Sequence, residues 1–479
     1  MVFTSRYIDI KISQDGIYKY VTSNPNNIPD DKIIFIDGIN DKNLTFGRFK
    51  NESRKFAALL KNRIGFKQGD VLMILSPNHI DYPIVLLGTN AAGGIVTLAN
   101  PNNTPSELRH QLIDSKASVL ITHRDSLDVV IQVSKEAKIP VFNIFLFGDE
   151  ELNGCKPFRP ELIGEHEIEP VDFSLEESMS TVAYLCYTSG TTGMQKGVQL
   201  THMNVVSNLA QIASFEKDLN SQSIIMGVIG ATTVILPSFN AKTFCHCIKK
   251  YKIDFIYIVP QAIFELVKDQ SLEHDFSSVK TVVSSAAPLS SIGFLLPNIE
   301  AKILSTEDGR ELGPNEYGEL CVRGPNLMKG YLKDVKDLEQ PFDEDGFFHT
   351  GDIVSINNEG NFLIIDRIKN LISYQGVQVY PNKLALLLLS HPDIADAAVV
   401  GYYSNEEQTE VPVACIVPQT RHGQSPSFAN EIKNYINDRG VPEKICEVLF
   451  TDKIPKTHNG KILQKLLRER VMNKFFGNE

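Results

Sequence analysis

Twelve residues, YTSGTTGMQKGV from Tyr187 to Val198, hold four Ser/Thr hydroxyls, three glycines and one lysine. Gly190, Gly193 and Gly197 let a backbone approach a ligand closely and aim several N–H groups at one anion. Thr188, Ser189, Thr191 and Thr192 add hydroxyl donors, and Lys196 adds a positive charge. Together these groups suit a polyphosphate. Two better-known phosphate motifs do not fit. A dinucleotide fingerprint needs G-x-G-x-x-G, and a P-loop counted from Gly190 would put its second glycine at Gln195. Taken alone, the stretch also reads as a flexible Ser/Thr/Gly connector.

Four further stretches carry residues with chemical potential. Asp352 follows Thr350 and Gly351 in GFFHTGDI. Arg367 and Lys369 lie in DRIKNLI, Gln378 in LISYQGVQV, and Lys461 in PKTHNGKIL. Each has a plain alternative: a turn residue for Asp352, a surface ion pair for Arg367, a solvated side chain for Lys461.

The elements that must position them follow from the hydrophobic pattern. DVLMILSPN, GGIVTLANP, ASVLITH and VFNIFLFG are short apolar runs ended by Gly, Pro, Asn or His, with helical patterns such as SELRHQLIDS and SLDVVIQVSKEA among them. Strand alternating with helix predicts a doubly wound parallel sheet, whose ligands bind at the carboxyl ends of the strands. The Tyr187 loop follows the apolar run Val182 to Cys186 and so falls at such an end. After about Gly318 the texture changes to short strands with Gly turns, in GELCVRG, FFHTGDIVSI and NFLIIDRI. From Ile368 onward a compact α+β pattern and a basic, helical tail suggest a small C-terminal domain at 368–479.

Composition narrows the partners. The 479 residues suit two or three domains, and 42% hydrophobic with 22% charged residues is ordinary for a globular protein. A net charge of -11, without a basic cluster along the body of the chain, argues against nucleic acid or an anionic membrane. The seven scattered cysteines suit a reducing compartment, and the lone Cys245-x-Cys247 reads as core rather than metal site. The N-terminus lacks the apolar run of a signal peptide, and KFFGNE is no peroxisomal tail, so a cytoplasmic location is expected. The longest apolar stretch, Tyr82 to Ala99, is broken by Asn90 and Gly93-Gly94 and reads as core elements around a turn rather than a span.

Taken together the motifs resemble the adenylate-forming (AMP-binding) superfamily, in its 4-coumarate–CoA ligase, acyl-CoA synthetase and luciferase branch. LANPNNTPSEL, the Tyr187 loop, YGELCVRGPNLMKGYL, GFFHTGDI, DRIKNLI and PKTHNGKIL stand in the family's order. The resemblance implies an α/β fold: a large N-terminal region (1–367) of stacked α/β sheets plus a small β segment, and a small mobile α+β domain (368–479). It implies ATP, Mg2+ and coenzyme A as cofactors and a small carboxylic acid as substrate. Residues 188–196 would hold the departing phosphates, Asp352 the ribose hydroxyls, and Arg367 and Gln378 the nucleotide. Lys461 would be the catalytic lysine of adenylation and Lys369 part of the hinge.

The chain also departs from that pattern. Near 228–230 it lacks the expected Pro-x-Phe-His strand and helix. Near 290–291 it lacks the segment bearing Gly-Tyr-Gly-Met-Thr-Glu, whose Glu would place Mg2+, so no metal ligand is assigned. Gln195 replaces a Pro, Ser285 a Gly, Ser373 and Gln375 lysines, and Lys383 a Glu. A catalytically impaired relative is therefore the alternative to an active ligase. Missing core segments also predict apolar surface left uncovered on the strands that would face them.

Overall fold

The computed structural model describes the chain apart from residues 160, 162, 189–194, 216–230, 259, 269–274, 285–292, 333–340, 420–423, 442, 457–461 and 477–479. An eight-stranded sheet forms the centre of the large region. Its order is Gly330–Tyr331, Lys196–Thr201, Val182–Thr188, Ile95–Ala99, Val71–Leu75, Ala117–Thr122, Ile144–Leu146 and Lys156–Pro157. The last six of these run parallel, and the first two add antiparallel edge strands.

The strand Val71–Leu75 shows why the sheet forms. All five residues are buried. Leu72 and Ile74 pack with helices Phe46–Leu59 and Tyr82–Ala91 on one face, while Val71, Met73 and Leu75 pack with Pro105–Ser115 and Leu127–Glu136 on the other. A continuous apolar run is what a strand covered on both faces requires. Thr104 starts the helix Pro105–Ser115 with a reciprocal capping box to Glu107 and Pro105 in the first turn. That helix lies beside the Tyr187 strand and helps to place the loop.

Two smaller pieces lie apart from this sheet. Thr233–Ile235 runs parallel to Ile33–Asp37, which forms a hairpin with Asn43–Thr45, and Phe255–Ile258 runs parallel to Thr281–Ser284. Tyr257 and Val282 on the latter pair are 48% and 53% exposed. Cys245 and Cys247 are both buried on the helix Ala241–Tyr251, and none of the seven cysteines is in a disulfide. An antiparallel five-stranded sheet follows the order Phe3–Thr4, Glu300–Leu304, Gly318–Arg323, Phe348–Ile356 and Phe362–Arg367.

After Arg367 comes the small C-terminal domain. A hairpin, Ile372–Tyr374 with Val377–Val379, precedes the helix Pro381–Leu389 and a sheet of Ile394–Ser404, Thr409–Pro418 and Glu447–Phe450. Alternation again divides the core. Ala397, Val399, Ala414 and Ile416 face the helices Pro381–Leu389 and Pro426–Asn437, whereas Ala398, Val400, Val413 and Cys415 face Leu467 and Val471 of the basic tail helix Gln464–Phe476. Among the described residues no helix is long and apolar enough to cross a membrane.

Candidate functional site

The Ser/Thr/Gly loop leaves the central sheet at its antiparallel step. Thr188 and Lys196, its first and last described partners, stand opposite one another in register. Four contacts hold the base. The Tyr187 hydroxyl donates to Asp114 Oδ2 at 2.7 Å, His110 Nε2 donates to the Gln195 carbonyl at 3.0 Å, and the Leu332 N–H donates to the Gly197 carbonyl at 2.8 Å. The Lys196 ammonium lies 5.5 Å from the centre of the Tyr331 ring. A Cβ at Gly197 would come within 3.1 Å of the Tyr187 ring and 3.3 Å of Leu332 Cβ, closer than ordinary contact, so glycine suits this approach. Burial, and then the neighbouring Asp114, push the Tyr187 phenol up, which keeps it a hydrogen-bond donor. Ser189, Gly190, Thr191, Thr192 and Gly193 lie outside the described residues.

The second part of the site is built on the five-stranded sheet. Asp352 and Arg367 stand opposite each other on adjacent strands, and Arg367 Nε donates to Asp352 Oδ1 at 2.6 Å. The strand Phe348–Ile356 bulges in front of Asp352, and this local turn of the backbone is braced from the next strand. Gly351, at φ +68°, donates its N–H to Glu319 Oε1 at 3.1 Å, and the Thr350 hydroxyl donates to the Leu320 carbonyl at 2.7 Å. Nothing stands within 4 Å of the place where a Gly351 Cβ would lie, so space is open over the turn. The strand Gly318–Arg323 leads on to Gly330–Tyr331, which pairs with Val198 and Gln199 beyond the loop. The two parts are therefore joined by a short length of chain. Among the described residues no hydrogen bond or ion pair links Thr188 or Lys196 to Asp352 or Arg367.

Several contacts cross from the large region to the small domain. Asp366 is fully buried, and its carboxylate accepts from the Asn382 N–H at 2.6 Å, from Asn382 Nδ2 at 3.0 Å and from the Arg367 N–H at 2.7 Å. Asn382 lies in the first turn of Pro381–Leu389, where backbone donors lack helical acceptors and a carboxylate is favoured. Burial raises the Asp366 pKa above its ordinary value, against the opposing pull of these donors. Gln378 and Thr306 share hydrogen bonds at 3.3–3.4 Å. Tyr317 meets Tyr380 edge to face at 5.6 Å between ring centres. Lys369 sits exposed in the single turn Ile368–Asn370 between the two parts.

Lys461 lies outside the described residues, although the chain on either side of it is placed. Lys456 and Ile462 bridge, the Leu463 N–H donates to the Pro455 carbonyl at 2.9 Å, and Lys456 pairs with Asp396 at 2.7 Å. Asp366, Glu319, Asp114 and His110 were not singled out from sequence. Asp366 and Glu319 sit inside the quoted stretches DRIKNLI and GELC, but nothing in a linear pattern shows that one is buried across the domain junction or that the other braces a turn.

With this geometry in place, comparisons with known proteins agree. A profile for the AMP-binding enzyme family matches residues 22–291 and 289–332, and one for the AMP-binding enzyme C-terminal domain matches 386–461. A 4-coumarate–CoA ligase of Pinus taeda is 32% identical over 544 aligned residues, covering 99% of this chain and 98% of that one. The 4-coumarate:CoA ligase 1 of Petunia hybrida is 32% identical, covering 98% and 97%. ATP-bound MatB from Rhodopseudomonas palustris superposes with a TM-score of 0.84 at 19% identity, covering 96% of this chain and 99% of that one. The anthranilate CoA ligase AuaEII with anthranoyl-AMP gives 0.78 at 19%, covering 95% and 97%. The chain belongs to the AMP-binding enzyme family.

Proposed function

We propose that this chain is an ATP-dependent acyl- or aryl-CoA ligase. A carboxylate oxygen attacks the α-phosphorus of ATP, pyrophosphate departs, and an acyl-adenylate forms. The thiol of coenzyme A then attacks the acyl carbonyl, AMP departs, and a thioester results. The first step is an in-line displacement, governed by positioning and by stabilisation of charge on the phosphates. Residues 188–196 receive the leaving phosphates, Asp352 accepts from the ribose hydroxyls, and Arg367 and Gln378 steady the nucleotide. Lys461 bridges carboxylate and α-phosphate during adenylation. The small domain, 368–479, then swings about Arg367 to Lys369 for the thiol step. A cytoplasmic location belongs to the same reading.

The observation that carries this proposal is the Asp352–Arg367 pair, held at an open turn one short connection from the clamped phosphate-type loop. The stretch in which the family's Mg2+ carboxylate would fall, near 290–291, lies outside the described residues. Thr306-Glu307 belongs to a different segment, the STEDG turn, where Thr306 is engaged with Gln378.

A second reading is favoured by specific observations. The alignment of 544 residues with the Pinus taeda ligase is 65 positions longer than this chain, so at least that many positions have no counterpart here. The family profile also matches in two pieces that meet at 289–291. Half-exposed Tyr257 and Val282 fit the loss of neighbouring structure. A chain shortened in this way would be a catalytically impaired relative of the ligases. The deciding measurement is carboxylate-dependent pyrophosphate release from ATP by the purified chain, with medium-chain fatty acids and hydroxycinnamates, beside Lys461→Ala. Release abolished by the substitution supports the ligase, and no release from a folded chain supports the impaired relative.

A further inference from the structure

Behind the Asp352 turn, three side chains of different chemistry converge on one face of the five-stranded sheet. Cys321 and His349 stand opposite in register, and Glu319 is two residues before Cys321, so it projects to the same side. His349 Nδ1 lies 2.8 Å from Glu319 Oε2 and 3.5 Å from Cys321 Sγ, and the three ligand atoms all fall within 4.8 Å of one another. Leu320 and Val322, between them along the strand, pack into the apolar core on the opposite face. A nitrogen, a sulfur and a carboxylate oxygen, all lone-pair donors, thus face one point. A tetrahedral zinc ion would hold such atoms roughly 3.3–3.8 Å apart, a small adjustment from what is present.

We propose that Glu319, Cys321 and His349 form a binding site for a borderline-soft divalent cation of the Zn2+ class, with the fourth position left to water. The thiol and imidazole select zinc-like ions over magnesium or calcium, which prefer oxygen ligands alone. The surroundings support the ring. Asp343 Oδ2 lies 3.9 Å from His349 Nε2, on the side away from the trio, and is itself fixed by Lys302 at 2.6 Å. At 3.9 Å this carboxylate is beyond hydrogen-bond reach, and a shift of about 1 Å would bring it to the outer nitrogen, where a carboxylate orients a metal-bound histidine. The second His-containing group among the described residues, His391 with Asp393 and Glu431, has no thiol, and His391 Nδ1 already accepts from the Asp393 N–H at 3.2 Å. Because Glu319 Oε1 holds the Gly351 N–H, a bound ion would stiffen the turn that carries Asp352. The site is independent of the ligase reading.

The test uses the full, untagged chain, stripped with chelator and titrated with Co2+ as a spectroscopic probe. One equivalent should produce thiolate-to-cobalt charge transfer and tetrahedral d–d absorption, one equivalent of Zn2+ should remove both, and zinc should raise the melting temperature. Cys321→Ser and His349→Gln should lose the charge-transfer band, a Cys245→Ser/Cys247→Ser double variant should keep it, and Asp343→Asn should bind about tenfold more weakly. If Cys321→Ser fails to fold, X-ray absorption of the zinc-loaded unsubstituted chain decides the matter, since Cys321 is buried and one sulfur at about 2.3 Å from zinc is expected. Absence of the band, its survival without Cys321, or a zinc shell without sulfur overturns the proposal.

Discussion

Asp352 and Arg367 face each other across two antiparallel strands, fifteen residues apart in sequence, with Arg367 Nε donating to Asp352 Oδ1 at 2.6 Å. Asp352 is 23% exposed and Arg367 45%, so the pair contributes only about 0–1 kcal/mol to stability. The value of the arrangement lies in holding the carboxylate still beside open space. Asp352→Ala should therefore leave the melting temperature nearly unchanged while weakening ATP binding by about 1–3 kcal/mol, the cost of lost hydrogen bonds to a charged group. Arg367→Ala should weaken ATP less, since the acceptor remains. Calorimetric ATP titration beside thermal melting checks both. A large fall in melting temperature with ATP affinity intact would make the pair a strand staple and remove Asp352 from the site.

The family resemblance implies a Glu where Lys383 stands, and the structure shows what this lysine pairs with. Lys383 Nζ donates to Glu443 Oε1 at 2.8 Å, and the Glu443 side chain is 1% exposed. Tyr317 and Tyr380 flank the ammonium at 5.6 and 5.9 Å from their ring centres. Glu443 Oε2 is buried with no hydrogen-bond partner, so the carboxylate depends on this one cation. Removing the lysine leaves a buried, uncompensated charge. Lys383→Met should cost about 3 kcal/mol, the low end for a buried pair because the lysine is partly exposed. The double variant Lys383→Met/Glu443→Leu should recover most of that loss. Urea unfolding measures each. A single variant as stable as the starting chain would mean that Glu443 reaches water. Tyr317 belongs to the large region, so any swing of the small domain must break its contact with Lys383 while the ion pair travels intact.

What could be seen in sequence depended on range. Val71–Leu75 was legible because five apolar residues in a row admit little besides a strand covered on both faces. The Tyr187 loop and Asp352 stand out as candidates because their chemistry is local and their motifs match a family's order. The hairpin Ile33–Asp37 with Asn43–Thr45 was not legible, since its third strand, Thr233–Ile235, comes about two hundred residues later. The same holds for Tyr187 with Asp114 and for Lys383 with Glu443. Each residue is visible alone, but the partner is chosen by tertiary packing. Asp366 shows the limit most clearly. Its motif was read for Arg367 and Lys369, while the fully buried neighbour that joins both domains passed as part of the frame.

His202 belongs to none of the motifs, yet it should dominate one part of the acid response. It is 1% exposed at the start of the helix His202–Phe215, its ring lies 4.2 Å from that of Phe173, and its Nδ1 accepts from the Ile17 N–H at 3.3 Å. Nε2 is buried without a hydrogen-bond partner. Burial lowers its pKa from 6.5 to about 4, so the folded chain keeps the ring neutral while the unfolded chain protonates it near its ordinary value. As pH falls below 6.5 the unfolded state binds the extra proton, and stability drops by up to roughly 1.4 kcal/mol per unit until about pH 4. His202→Gln cannot take that proton. At pH 7 it should be less stable through lost packing, and the gap to the unsubstituted chain should narrow by about 2–3 kcal/mol between pH 7 and 4.5. Taking the difference between the two chains cancels the titration of the carboxylates they share. Urea midpoints across that range would show it. A gap that stays constant with pH would mean that the ring is charged or solvated in the folded state, against the burial seen here.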